Sequence, residues 1–346
     1  MPLRRIGVVG AAGKMGGNHV AALSDLRTQG YLEFPAVSDA YSAAEYTFKE
    51  KHPELRFYIS CEEMIRKERL DGVVIAVPAD SHVKVGKEVV DSGCRYGLME
   101  KPFVPLRRIE QGPELLDYAK GRTKFMSGTT ACYEPVLDTF IDNEDVVGKI
   151  REVVSFRIGY VPLRMLGRAG VDPLDDLGLH DAMNFRRIVD WREMKIMGNS
   201  AYKTLMGFHK NYYVYSAATL DGVAFTSTSA WIPGNHQMRV TYVVGDRTIA
   251  ELDYVSQGLG YIPFDVAEKI RTQNMTSEIL GMKELFTESL PVRREPDALR
   301  KELLEFVKFI ETDGRETLTP AERELETLQQ MWPVIAEDLL RDLNKR

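Results

Sequence analysis

The chain has 346 residues, with 45 Lys and Arg against 51 Asp and Glu, a formal net charge of −6 and 44% hydrophobic residues. This is the composition of a globular protein, and at this length we expect two domains. The mild acidity disfavours a broad nucleic-acid surface, and the longest clean apolar run is too short for a membrane span. The N-terminus enters a strand pattern directly, without a signal peptide, and the three cysteines form no CxxC pair, so we expect a cytoplasmic protein.

The first third of the chain alternates short apolar runs with amphipathic stretches, which is typical of a parallel sheet covered by helices. The run GVVIAVP predicts a strand that is buried on both faces. The pattern predicts strands at 5–10, 34–39, 72–78 and 96–100, and helices at 14–30, 42–52, 61–67 and 82–92. We therefore expect an α/β domain of the Rossmann type over residues 1–128.

The remainder of the chain is rich in alternating β-type segments, at 149–160, 212–231 and 237–255, and Gly245-Asp246 marks a hairpin turn. Two amphipathic helices follow, from Asp297 and from Pro320. We expect residues 129–346 to form an α+β domain with a large, mostly antiparallel open sheet. The last helix is a candidate to pack back on the first domain. Aromatic and β-branched residues in the sheet strands predict oligomerisation through this sheet.

A glycine turn follows the first predicted strand, in the segment VVGAAGKMG. Gly10, Gly13 and Gly16 have three-residue spacing, and Ala12 stands where the usual dinucleotide fingerprint has its second glycine. Gly10 permits the tight turn, Gly13 or Ala12 admits the pyrophosphate, and Gly16 permits close helix packing. Glycines are common in turns of every kind, but the position between a strand and a helix favours a dinucleotide site.

Asp39 ends the second predicted strand, 23 residues after Gly16, where an acid is expected to meet the adenosine ribose hydroxyls. The structural alternative is an aspartate that serves only a turn. No Lys or Arg lies between Asp39 and Phe48 to neutralise the extra phosphate of NADP. We therefore expect NAD as the cofactor, with NADP less favoured.

At the end of a further strand, Glu100, Lys101 and Pro102 stand at the sheet edge where such folds bind ligands. Together with GAAGKMG, VIAVPADSH at 74–82, DLGLH at 176–180 and the helix at 297–314, this MEKP segment resembles the Gfo/Idh/MocA oxidoreductase family, the group of glucose–fructose oxidoreductase and inositol dehydrogenase. The resemblance covers nearly the whole chain. It implies a homodimer or homotetramer in which residues 129–346 bind the substrate. It implies an NAD-dependent dehydrogenase that acts on CH–OH groups of a sugar, a cyclic polyol or a derivative of one.

The resemblance implies three catalytic residues, Lys101, Asp176 and His180, which face the nicotinamide across the domain interface. Asp176 and His180 are one helical turn apart, so both reach the same side of a helix. His180 suits the role of base, Lys101 that of an oxyanion donor and Asp176 that of a supporting acid, although which of the first two takes the proton stays open. The expected cofactor-binding residues are Gly10, Ala12, Gly13, Lys14, Met15, Asp39, Pro78, His82, Glu100 and Lys101.

Several features leave the substrate open. The stretch ACYEP replaces an Arg-aromatic pair that many relatives carry, and Asn184 stands where an acid is frequent. One alternative is a glycoside-cleaving enzyme of the same fold that uses NAD transiently, and another is a non-catalytic sensor that binds NAD and a sugar. The six histidines show no HxxxH or HxH spacing, so we expect no metal site.

Overall fold

The first sheet of the computed structural model has six parallel strands in the order β3-β2-β1-β4-β5-β6. The strands are β1 (Arg5–Val9), β2 (Glu33–Ser38), β3 (Arg56–Tyr58), β4 (Gly72–Ile75), β5 (Tyr96–Glu100) and β6 (Lys124–Gly128). The helices of this part are α1 (Lys14–Thr28), α2 (Ala44–Lys51), α3 (Cys61–Glu68), α4 (His82–Asp91) and α5 (Gln111–Ala119). The strand order reverses between β1 and β4, which opens a crevice at their carboxyl ends.

The second sheet has eight strands in the order β14-β13-β12-β11-β7-β10-β9-β8. Its strands are β7 (Glu152–Tyr160), β8 (Met194–Tyr202), β9 (Tyr212–Thr219), β10 (Ala224–Ile232), β11 (Met238–Val244), β12 (Thr248–Asp253), β13 (Gly258–Pro263) and β14 (Glu288–Leu290). The β7–β10 pair is parallel and the other pairs are antiparallel. The predicted fold class, a Rossmann sheet followed by a mostly antiparallel sheet, is confirmed.

Helix α6 (Pro135–Ile141) precedes this second sheet, and helix α7 (Leu179–Val189) packs on one face of it. The covered face changes character along the strands. Three rows cross β10, β7 and β11 in register: Phe225, Val153 and Val243; then Ser227, Ser155 and Thr241; then Ser229, Arg157 and Arg239. The face therefore runs from apolar to polar to cationic toward the end of β7.

Two further helices complete the fold, α8 (Ala298–Glu311) and α9 (Ala321–Met331). The chain forms two compact units: Met1–Thr130 with Ala298–Gln329, and Ala131–Asp297 with Gln330–Arg346. Phe306 and Ile310 of α8 lie so close to Gly72 of β4 that an added Cβ there would be 2.9 Å from both side chains. This packing explains why α8 folds with the first sheet, although the sequence pattern placed it with the second. Most of α9 also belongs to the first unit, in keeping with the expectation that the last helix can pack on the first domain.

The structure describes residues 2–160, 173–191, 193–202, 211–232, 237–263, 288–292 and 296–336. Over these ranges, no helix has both the length and the apolar character that a bilayer span requires. The segment 212–231 is a hairpin, β9 and β10, and not one long strand. The turn that connects them contains Gly222, whose φ of +82° favours glycine. The dipeptide Asp221-Gly222 therefore marks this turn in the sequence.

Candidate active site

The glycine turn has the conformation that its residues favour. Gly10 has a φ of +86°, which a side chain disfavours, and a Cβ at this position would lie 2.7 Å from the Ala76 carbonyl oxygen. At Gly16 a Cβ would lie 2.0 Å from the Gly10 carbonyl oxygen, so only glycine lets α1 approach the turn. The N-cap residue of α1 is Gly13, which has no side chain to cap the helix. The first amides of α1 are therefore available to an anionic ligand.

A cavity of about 820 Å³ opens beside this turn at the crevice between β1 and β4. Five of the predicted cofactor residues line it: Gly10, Ala12, Gly13, Asp39 and Pro78. The Asp39 carboxylate accepts hydrogen bonds from the backbone N–H of Ala12 and of Tyr41, each at 2.9 Å. These two bonds fix the acid at the wall of the cavity.

Sequence reasoning missed other residues that line the same cavity. Tyr41 and Ile59 follow the ends of β2 and β3 and are 67% and 47% exposed, while Ser81 and Lys84 follow β4. Their positions in the sequence could have indicated this, because residues that follow the carboxyl ends of parallel strands line the crevice in this fold. Lys14 and Met15, predicted as cofactor ligands, occupy the first turn of α1, where Lys14 is exposed and Met15 is half-buried.

The turn that carries Lys101 is held by buried polar groups. His82 is fully buried, and its ring nitrogens lie 2.9 Å from the Pro102 carbonyl oxygen and 3.0 Å from that of Val77. Burial lowers the pKa of His82, although both hydrogen bonds oppose this. His82 thus connects the segments that follow β4 and β5 and does not reach the cavity. Lys101 itself is half-buried.

Glu100 joins this turn to α1. Its Oε1 lies 2.6 Å from His19 Nε2, and both side chains are buried. Glu302 of α8 is fully buried nearby, and one ligand atom from each of His19, Glu100 and Glu302 lies within 4.8 Å of the others. Such a group can hold a metal ion, but the His19–Glu100 separation is that of a hydrogen bond. Burial and, next, the charge of Glu100 raise the pKa of Glu302 well above its ordinary value, which favours a neutral carboxyl.

In the second unit, Asp176 lies in a π-helical turn, Leu174–Gly178, that leads directly into α7. Asp176 and His180 are half-exposed, whereas Leu177, Gly178 and Leu179 between them are buried. The two predicted catalytic side chains therefore share the accessible side of this helical segment. π-helical turns occur often at functional sites.

A buried ion pair fixes α7 on the sheet. Arg157 Nε of β7 lies 2.7 Å from Asp181 Oδ1, and Ser227 Oγ donates a 3.3 Å hydrogen bond to Asp181 Oδ2. Burial alone would lower the pKa of Arg157, but the charge and the hydrogen bond of Asp181 raise it, so the guanidinium stays protonated. Because Asp181 follows His180 directly, this pair anchors on the sheet the helical turn that carries His180.

The structure thus brings together five of the ten predicted cofactor residues around one cavity of the first unit, and separately places Asp176 and His180 on one side of a helical segment in the second unit. Lys101 belongs to the first unit. The convergence of the three catalytic residues stays a prediction.

The site of the first unit fits a dinucleotide. Positive φ and a steric need for glycine at the turn, uncapped amides at the start of α1, and a carboxylate fixed at the wall of the cavity are the three elements that pyrophosphate and ribose require.

Comparison with known proteins agrees with this assignment. Residues 4–129 match the sequence profile of the oxidoreductase family with an NAD-binding Rossmann fold, Gfo/Idh/MocA. Inositol 2-dehydrogenase of Corynebacterium glutamicum is 33% identical over 101 residues, which are 29% of this chain and 29% of that protein. The matched segment therefore spans less than a third of the relative.

Solved structures share the whole fold. UDP-N-acetylglucosamine 3-dehydrogenase from Acidithiobacillus ferrooxidans superposes with a TM-score of 0.76 at 17% identity, over 96% of this chain and 97% of that chain. An oxidoreductase from Agrobacterium radiobacter, in complex with NAD+, L-tartaric acid and magnesium, gives 0.77 at 11% identity, over 97% of both chains. Residues 4–129 therefore match the NAD-binding Rossmann domain of the Gfo/Idh/MocA oxidoreductase family, as the sequence motifs of this region predict.

Proposed function

We propose that the protein is an NAD-dependent dehydrogenase that transfers hydride between a hydroxyl-bearing carbon of a sugar, cyclic polyol or derivative and the nicotinamide. The observation that carries this proposal is the cavity at the strand-order reversal, lined by the glycine turn, Asp39 and Pro78. Two similar proteins support the substrate class, since their names give inositol and UDP-N-acetylglucosamine as substrates.

Asp39 supports NAD over NADP. Its carboxylate is fixed by two backbone N–H groups at the wall of the cavity. A phosphate on the adenosine ribose would approach this charge, and like charges about 4 Å apart repel by up to roughly 4 kcal/mol at an effective dielectric near 20. Lys84 also lines the cavity, but its ammonium lies 3.9 Å from Glu88, which offsets part of its charge.

The proposed chemistry assigns one task to each of three side chains. The bound nicotinamide supplies the hydride acceptor. His180 takes the hydroxyl proton, because an imidazole is a base near neutral pH. Lys101 donates a hydrogen bond to the substrate oxygen and stabilises the negative charge that develops there. Asp176, on the same accessible side as His180, hydrogen-bonds the substrate and supports the imidazole.

A thermal-shift panel and an activity screen test this proposal. We expect NAD to raise the melting temperature more than NADP at equal concentration, since a ligand at a hundred times its Kd adds about 2.7 kcal/mol. Sugars and cyclic polyols are then screened with NAD, and absorbance reports the NADH formed. The absence of both NAD binding and NADH formation over the whole panel would overturn the proposal.

A further inference from the structure

The cationic row of the second sheet lies close to the predicted catalytic residues of that unit. Ser229, Arg157 and Arg239 are in register across β10, β7 and β11 and share one face. A Cβ on Gly178, in the turn between Asp176 and His180, would lie 2.9 Å from Ser229 Oγ. The row is therefore next to the segment that carries Asp176 and His180.

The two arginines of this row differ in their partners. Arg157 is buried and paired with Asp181. Arg239 is half-buried, and within the described part of the chain its guanidinium has neither a hydrogen bond nor an ion pair. Burial, and then the charge of Arg157, lower the pKa of Arg239. Arg239 is thus a cation beside a second cation, in a partly desolvated place.

Three acids, Glu134, Asp176 and Asp181, attract Arg239 electrostatically, but each of them has another partner or role. Asp181 already binds Arg157 and Ser227. Glu134 accepts a 2.7 Å hydrogen bond from Gln257 Nε2, and burial raises its pKa. Asp176 attracts Arg239 electrostatically but is the proposed substrate ligand.

Buried atoms without hydrogen-bond partners mark the same region. Asn184, on α7 one turn beyond Asp181, is fully buried, and within the described ranges neither its amide nitrogen nor its amide oxygen has a hydrogen-bond partner of good geometry. Arg157 Nη2 is also buried and has no hydrogen-bond partner among the described residues. A buried polar group without a hydrogen-bond partner is energetically unfavourable, so a cluster of such groups indicates a place for a polar ligand or ordered water.

We propose that Arg239 binds an anionic group of the substrate, a carboxylate or a phosphate ester. A guanidinium forms charge-assisted, bidentate hydrogen bonds with either group. This inference rests on the proposed function and narrows its substrate class to acidic sugars or sugar phosphates, with Asp176 and His180 acting on a hydroxyl of the same molecule.

The first experiment measures binding. The melting temperature of the protein with saturating NAD is recorded with D-glucuronate, D-glucose 6-phosphate, inorganic phosphate and neutral D-glucose. We expect the sugar acid or the sugar phosphate to stabilise the protein more than D-glucose and inorganic phosphate, and the stronger of the two identifies the anionic group. Arg239→Gln should abolish this difference, and Arg239→Lys should restore part of it. Arg151→Gln, which removes an exposed positive charge next to β7, is the matched control and should keep it.

The second experiment measures kinetics with the best anionic substrate and its neutral parent. Loss of a hydrogen bond between charged groups corresponds to about a 10- to 100-fold rise in KM for the anionic substrate, with a smaller change in kcat. Arg239→Gln should therefore lower the ratio of kcat/KM for the anionic substrate to kcat/KM for the neutral substrate by about 10- to 100-fold. Without ligand, its melting temperature should equal or exceed that of wild type, because a cation next to Arg157 is removed.

Three results would overturn the inference: equal stabilisation by D-glucose and the acidic sugars, an unchanged selectivity in Arg239→Gln, or a lower melting temperature of Arg239→Gln without ligand. These outcomes differ from a failure of the proposed function. If no sugar yields NADH but acidic sugars still stabilise the protein through Arg239, the inference stands and the dehydrogenase proposal fails. If neutral polyols are oxidised and Arg239→Gln leaves the selectivity between anionic and neutral substrates unchanged, the dehydrogenase proposal stands and the inference about Arg239 fails.

Discussion

The backbone N–H of Phe103 donates a 2.6 Å hydrogen bond to Glu324 Oε1, a residue 221 positions later in the chain. The other carboxylate oxygen accepts from the hydroxyls of Ser127 and Thr129, the latter at 3.0 Å. Glu324 is fully buried, and burial raises its pKa to about 7. Helix α9 therefore holds the turn that follows Lys101 through one titratable group.

This geometry predicts a pH-dependent stability. Between the ordinary pKa of 4.5 and about 7, the folded protein holds a proton on Glu324 that the unfolded chain has lost. The free energy of unfolding should therefore fall as the pH rises through this window, by about 3 kcal/mol in total from this group. Glu324→Gln keeps the shape without the charge, so its melting temperature relative to wild type should increase from pH 5 to pH 8.

The control for this series is Glu322→Gln, because Glu322 is exposed on the same helix. Its melting temperature should differ from that of wild type by the same small amount at every pH. A constant difference for Glu324→Gln as well would show that Glu324 does not titrate in this range.

Adjacent glycines in α1 give a matched pair of substitutions. Gly16→Ala places a Cβ 2.0 Å from a backbone oxygen that cannot move easily, so the free energy of unfolding should fall by about 3 kcal/mol. Gly17→Ala meets no atom within 4 Å and should raise stability by about 0.5–1 kcal/mol, because alanine favours the helix. Urea denaturation of both variants measures this contrast. Similar stabilities for the two variants would contradict the close approach of α1 to the turn.

Asp39 should set the cofactor preference. Wild type should use NAD with a higher kcat/KM than NADP. Asp39→Asn should reduce the ratio of kcat/KM with NAD to kcat/KM with NADP, because it removes the negative charge. The variant keeps a side-chain oxygen as a hydrogen-bond acceptor. Asp39→Ala should reduce the ratio too, with a weaker use of both cofactors, since the bonds to Ala12 and Tyr41 are lost. Steady-state kinetics with both cofactors gives the ratio. Equal or better use of NADP by wild type would refute the assignment.

The outer face of the second sheet should form the contact of a homo-oligomer. Alternation along β7 buries Val153 and Ser155 but leaves Val154, Phe156 and Ile158 half-buried. We expect a dimer or tetramer by light scattering, and Phe156→Lys should shift it toward the monomer. Met197→Lys, at a residue that is 65% exposed, serves as the control. A wild-type monomer at micromolar concentration would rule out this interface.

Local patterns in the sequence predicted much of the fold. Apolar runs located four of the six strands of the first sheet, β1, β2, β4 and β5, to within a few residues, because a strand covered on both faces is continuously apolar. Strand β6 was not located from the sequence. The three-residue strand β3 was too short to show a pattern. The Gly245-Asp246 turn was found, whereas Asp221-Gly222 was passed over within a longer alternating segment.

Long-range contacts limited the prediction of the site. The turn that follows Lys101 is held by Glu324, which local periodicity interprets only as a member of an amphipathic helix. Arg157 and Arg239 stand in alternating strands, and only the register of β7 with β11 places the two charges side by side. Lys101, Asp176 and His180 were identified through the family resemblance, since no spacing rule joins residues so far apart in sequence.

Turnover of Lys101→Ala and His180→Ala with the best substrate tests the proposed chemistry most directly. Removal of a positioned acid or base costs about a hundred- to ten-thousand-fold in rate, so both variants should lose that much kcat. Asp176→Asn should fall between them and wild type, and all three should still be stabilised by NAD, because the glycine turn and Asp39 are unchanged. Turnover within a few fold of wild type in both alanine variants would contradict the assignment of Lys101 and His180.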